Sequence, residues 1–146
     1  MKKILIPTDG SSSSVHAIQR AKELGIFEQG ELYLLSVIKD TFPIPFDAGA
    51  EGYIPGYQGD PRDSAARALE EAKQVIGEGY TIAQATMPQG DAAKKIIENA
   101  KELSVDLIVM GNRGLGAFSR TFLGSVSNKV LHQCDCSILI IKEETE

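Results

Sequence analysis

The chain has 146 residues, 42% of them hydrophobic and 24% charged, a formal charge of −5 and an isoelectric point near 5.1. This length suits one domain with a continuous core over residues 1–146, and the acidic balance excludes a protein that grips nucleic acid mainly through its phosphates, which needs a basic face. No apolar run approaches the roughly 18 residues that span a bilayer, and the opening KKILIP is too short and too soon broken by proline for a secretory signal. The expected location is the cytoplasm, with no membrane contact.

Lys2 to Pro7 reads as a strand stopped by proline, followed by Thr8-Asp9-Gly10 and the serines Ser11 to Ser14, whose hydroxyls suit the free N–H groups of a following helix. That helix carries Ala17, Ile18, Ala21 and Leu24 on one side and stops at Gly25. Glu31 to Ile38 is a second strand with little alternation, as in a parallel sheet covered on both faces. The segment from Lys39 to Asp60 breaks the rhythm: three prolines, four glycines and the aromatics Phe42, Phe46, Tyr53 and Tyr57 follow no helical or strand period. So long a connection points to a lid or binding surface, and its aromatic content to a segment that packs on the domain or on a partner.

Helical spacing resumes at Pro61 with Ala65, Leu69, Ala72 and Ile76, and ends at Gly77 and Gly79. Tyr80 to Met87 is a strand with clearer alternation, suited to a place near the sheet edge. After the turn Pro88 to Asp91, a third helix carries Ala93, Ile96, Ile97, Ala100 and Leu103. Val105 to Met110 is the fourth strand, and beyond the glycines Val126, Val130, Leu131 and Cys134 mark a fourth helix. Ser137 to Ile141 closes the sheet, before a charged tail, Lys142 to Glu146, expected to fray.

Strand and helix alternate throughout, which implies right-handed crossovers and an open, doubly wound, Rossmann-like α/β fold: a five-stranded parallel sheet with helices on both faces. With strand order 3-2-1-4-5 the order reverses between strands one and four. Ligands of such sheets bind outside the carboxyl ends at that reversal, which brings Pro7, Thr8 and Asp9 beside Gly111 and Gly114. There, Gly111-Asn112-Arg113-Gly114 leaves the fourth strand and Gly124-Ser125 opens the fourth helix. Glycine admits close approach to the backbone, and a helix start presents unpaired N–H groups, a combination that suits phosphate.

The pattern is neither a P-loop, lacking its lysine, nor the dinucleotide fingerprint, lacking the third glycine. A purely structural reading, a turn and a helix cap, stays open on spacing alone. Cys134 and Cys136, two apart with no second pair, read as small buried residues, and His16 and His132 as partly exposed helix residues without a metal cluster.

Gly111-x-x-Gly114, nine residues, then Gly124-Ser125 resembles the signature of the ATP-binding branch of the universal stress protein family. The opening KKILIPTDGSSSS, the strand VDLIVMG and the closing SILIIK resemble that family at their places. The resemblance implies an adenine nucleotide alpha hydrolase-like fold and a site for ATP, ADP or AMP with Mg²⁺. It places Pro7, Thr8 and Asp9 around the adenosine, Val37 in the adenine pocket, and Met110 and Gly111 against the ribose. Arg113 and Gly114 would approach the phosphates, with Gly124, Ser125 and Val126 binding them through N–H groups. Bland alternatives stand beside two of these roles: a turn-capping carboxylate for Asp9 and a solvated charge for Arg113. The resemblance also implies a homodimer through strand five, whose apolar edge needs cover. Three functions are then distinguishable: a non-catalytic nucleotide-binding protein in stress response or signalling, a slow ATP hydrolase, for which no base is identifiable, and a dimerisation module with structural glycines.

Overall fold

The computed structural model describes residues 2–40, 60–113 and 123–143. Strands β1 (Lys2–Pro7), β2 (Gly30–Leu35), β3 (Ile82–Thr86), β4 (Leu107–Gly111) and β5 (Ser137–Ile141) form one parallel sheet in the order β3-β2-β1-β4-β5. Helices α1 (Ser12–Glu23), α2 (Pro61–Ile76), α3 (Ala92–Leu103) and α4 (Ser125–Gln133) connect them. This is the expected doubly wound α/β sheet with the expected order.

Alternating side chains sort the core into two layers. Ile4, Ile6, Leu32, Leu34 and Val109 pack on Ala17, Ile18, Leu69 and Ile76 of α1 and α2. Leu5, Leu35, Ile108 and Met110 pack on Ile96, Ala100 and Val130 of α3 and α4. β1 is central and covered on both sides, so Ile4, Leu5 and Ile6 are each only 1% exposed, and each such side chain contributes about 1.5–3 kcal/mol by leaving water. β3 at one edge leaves the adjacent Ala83 and Gln84, one on each face, exposed, as its edge position allows.

The helix starts follow the cap residues. Ser11 Oγ accepts from Ser14 N, Asp60 from Arg62 N with proline at the first helical position, and Asp91 from Lys94 N. α3 ends on Ser104, a left-handed residue with φ of 53° that is not glycine.

Five expectations need correction. β2 stops at Leu35 rather than Ile38: Thr8 N takes Leu35 O, Ser36 N takes Thr86 O, and Ile38 then makes only an isolated bridge with Gln89. An apolar run does not report where the backbone leaves the ladder. β4 starts at Leu107, because Val105 N still bonds Ala100 O and so closes α3; β3 is likewise shorter than Tyr80 to Met87. Leu24, assigned to the buried face of α1, is 52% exposed, since the helix ends at Glu23 and the chain then turns into an unforeseen 3-10 turn, Ile26–Gln29, that buries Phe27 instead. The tail is not frayed at Glu143, as shown below. The Pro/Gly/aromatic segment falls, for residues 41–59, outside the described residues.

Cys134 and Cys136 are half-buried behind α4 against the second core layer. Burial, then the neighbouring Cys136, pushes the Cys134 thiol up to about 11, and burial raises Cys136 as well. His16 is half-buried in α1, and His132, exposed in α4, contacts Asn128 O through Nδ1 at 2.8 Å.

Candidate functional site

The chain leaves β1 for α1 on one face of the sheet and leaves β4 for α4 on the other. β1 and β4 are neighbours through Ile4↔Leu107 and Leu5↔Ile108, so a crevice opens beyond their carboxyl ends. Around it meet the turn after β1, the end of β4 and the start of α4.

The turn after β1 is a compact hydroxyl cluster. Thr8 Oγ1 donates to Ser14 Oγ at 3.1 Å, and Asp9 Oδ1 accepts from Ser11 N at 2.9 Å and lies 3.2 Å from Ser14 Oγ. The capping role proposed as the alternative for Asp9 is therefore present, in the form of an Asx turn. Ser13 leans the other way, toward β4. At Gly111 any side chain would meet Ser13 Oγ and the Ser13 carbonyl oxygen and carbon, the last two at 2.7 and 2.9 Å. Glycine here is a matter of space: it lets the first turn of α1 lie against the end of β4.

Asn112, 6% exposed, is the junction. Its N–H donates to Ile141 O at 3.1 Å and its carbonyl accepts from Gly124 N at 2.6 Å. Its Oδ1 accepts from Ser13 Oγ at 3.4 Å and from Glu143 N at 3.1 Å. One residue thus ties β4 to β5, to α1, to the start of α4 and to the segment after β5. Ser127 Oγ adds a bond to Gly111 O at 2.8 Å, which fixes the first turn of α4 from its other side.

That first turn differs in its cap. Gly124 (φ −67°, ψ 166°) is the N-cap and supplies no side-chain acceptor, so among the described residues no side chain caps Ser125, Val126 and Ser127. Their N–H groups, with the positive end of the helix dipole behind them, form the arrangement that binds anions. Arg113 donates its backbone N–H to Ser13 Oγ at 3.2 Å, while its guanidinium Nη2 lies 3.2 Å from Glu143 Oε1. With side chains 12% and 25% exposed, the pair is largely enclosed. Arg113 is thus not a solvated surface charge.

Of the residues named from the sequence, Pro7, Thr8, Met110, Gly111 and Gly124 are buried, Asp9, Arg113, Val126 and Val37 half-buried, and Ser125 exposed. Thr8 and Asp9 share the crevice end with Gly111, Arg113 and Gly124 through α1 and Asn112. Val37 stands beyond the end of β2 and packs on the second layer. Gly114 lies outside the described residues. Ser13, Asn112, Ser127 and Glu143 were missed: their partners lie between 16 and 100 positions away, and no local pattern announces such pairs.

These features define a doubly wound α/β domain with a glycine-marked, backbone-lined crevice at the reversal of strand order. Residues 1–142 match the universal stress protein family, and the chain belongs to that family. It is 31% identical over 145 residues to universal stress protein YxiE of Bacillus subtilis, covering 96% of this chain and 98% of the relative. To universal stress protein MJ0531 of Methanocaldococcus jannaschii it is 32% identical over 142 residues, covering 97% and 82%. Among solved structures, that of hypothetical protein MJ0577 superposes with a TM-score of 0.75 at 24% identity, covering 99% of this chain and 98% of the other. A family protein from Arabidopsis thaliana with AMP bound gives 0.67 at 20% identity, covering 99% and 94%. A universal stress protein in complex with cAMP gives 0.61 at 24%, covering 97% and 96%.

Proposed function

We propose that this protein binds an adenine nucleotide in the crevice between β1 and β4, with ATP the preferred form, and acts without strong catalysis in stress response or signalling in the cytoplasm. The observation that carries this is the start of α4: a helix with a glycine N-cap, pinned by Gly124 N to Asn112 O and by Ser127 Oγ to Gly111 O, at the place where the strand order reverses. Relatives solved with AMP and with cAMP support the ligand class. Gly124, Ser125 and Val126 would take the phosphates through N–H groups, with Gly114 and Arg113 nearby. Pro7, Thr8 and Asp9 would flank the adenosine, Val37 the base, and Met110 and Gly111 the ribose. Mg²⁺ would enter with the phosphates; the described residues hold no cluster of three or more His, Cys, Asp or Glu, so its ligands would be phosphate oxygens and water. Binding rather than turnover fits Asp9, the carboxylate of the turn after β1, since its Oδ1 already accepts from Ser11 N and a general base needs a carboxylate at liberty to accept a proton. β5 ends the sheet within the chain, with Ile138, Leu139 and Ile140 half-buried, and a second copy would cover that edge in a homodimer.

Calorimetric titration with ATP, ADP and AMP tests the reading, using Ser125→Pro. Gly124 already has the extended backbone required before proline, and the first helical position tolerates proline, so the variant removes one N–H and the hydroxyl without unmaking the helix. Ser125→Ala removes the hydroxyl alone. A hydrogen bond to a charged group is worth about 1.5–3 kcal/mol, so Ser125→Pro should weaken binding roughly ten-fold or more. No heat from any of the three nucleotides at millimolar concentration, or unaltered affinity in Ser125→Pro, would overturn the proposal; rapid hydrolysis would move it to an ATPase.

A further inference from the structure

The backbone of Arg113 leaves the end of β4 at the crevice and bonds Ser13 Oγ, and its guanidinium Nη2 is held by the Glu143 carboxylate at 3.2 Å in a pair only 12% and 25% exposed. The two residues are anchored separately at their backbones. Arg113 N donates to Ser13 Oγ and Glu143 N donates to Asn112 Oδ1, so backbone positions persist whether or not the side chains touch. Only the side-chain pairing has to break for the guanidinium to turn to another anion. Resting on the nucleotide reading above, we propose that Glu143 is an internal competitor for Arg113 and thereby a specificity-determining residue: a polyphosphate must displace its carboxylate, and a monophosphate does not reach the contest.

The physical basis is exchange of one anion for another. A carboxylate carries one negative charge and two acceptor oxygens, and guanidinium pairs with carboxylate and phosphate by the same forked geometry. The outer phosphates of ATP bring more charge and more oxygens than Glu143, so they win the contest, at the cost of the pair they break. AMP, with its single phosphate near the ribose, leaves the Arg113–Glu143 pair intact. Glu143 therefore lowers affinity for long phosphate chains while keeping a cation compensated when none is bound. Removing this carboxylate should therefore tighten binding of a polyphosphate, and only while Arg113 is present.

The test is calorimetric titration of full-length wild type, Glu143→Gln, Arg113→Gln and the double variant with ATP and with AMP, beside their melting curves. Glu143→Gln should bind ATP roughly five-fold more tightly, the scale of one partly exposed ion pair, with AMP affinity within about two-fold of wild type. Arg113→Gln should weaken ATP, and the double variant should match Arg113→Gln, because without the cation there is nothing to compete for. Unchanged or weaker ATP binding in Glu143→Gln, while wild type binds ATP, would overturn it and leave a pair that only holds the chain together. Absence of binding to both nucleotides in every variant would overturn the nucleotide reading itself, and this proposal with it.

Discussion

Gly111→Ala is the sharpest test of how the crevice is built. A β-carbon at residue 111 would meet Ser13 Oγ, the Ser13 carbonyl oxygen at 2.7 Å and the Ser13 carbonyl carbon at 2.9 Å. Two of these are backbone atoms in the first turn of α1, so no rotamer change relieves them and the helix must move away from β4. Overpacking of this kind costs about 1–3 kcal/mol, and for a domain of this size each kcal/mol lowers the melting temperature by roughly 2–4 °C. Gly111→Ala should therefore melt about 2–12 °C below wild type in scanning calorimetry. The double variant with Ser13→Ala should recover little, because the hydroxyl is removed but the carbonyl stays. A melting point within about 1 °C of wild type, or full recovery in the double variant, would refute the argument that β4 ends in glycine for reasons of space.

Two further outcomes follow from local geometry and chemistry. Ser104 holds a left-handed conformation at φ 53° as the cap of α3 and is exposed; Ser104→Gly should raise stability by about 0.5–1 kcal/mol, read by urea denaturation, and a loss would show that the hydroxyl matters more than the backbone. The Cys134 thiol, pushed up to about 11 by burial and by Cys136, holds its proton more tightly folded than unfolded, so its contribution to stability is intact below the ordinary thiol range and disappears as pH rises toward that value. Wild type should thus lose melting temperature relative to Cys134→Ala between about pH 9 and 11, and its cysteines should alkylate far more slowly at pH 8 than in urea. Equal alkylation rates in both conditions would contradict the burial argument.

What could be read from the sequence is what depends on local periodicity. β1 and β5 begin and end where KKILIP and SILII do, because proline closes the first run and the exposed Lys142 follows the second. The order of strands and the reversal between β1 and β4 also followed, since alternation of strand and helix leaves few topologies. Leu24 failed for a local reason: it keeps the helical period but falls one residue past the end of α1. Asn112 and Glu143 failed for a different one. Asn112 occupies a position of the glycine pattern where any residue is allowed, and its importance comes from partners on α1 and after β5; Glu143 looked like one more charge in an acidic tail. The glycines were legible because backbone space is a property of the residue itself, whereas a hydrogen-bonding hub is a property of the whole fold.

The position of β1 gives the crevice two levels of durability. Its floor is the end of a strand paired on both sides and sealed on both faces, the kind of backbone whose amides exchange with solvent only when the entire domain opens. Glu143, by contrast, follows the end of β5, one of the two edge strands of the sheet, and strand ends at an edge open locally at lower cost. Deuterium labelling should therefore find the amide of Glu143 exchanging well before that of Leu5, while the ground beneath it stays folded.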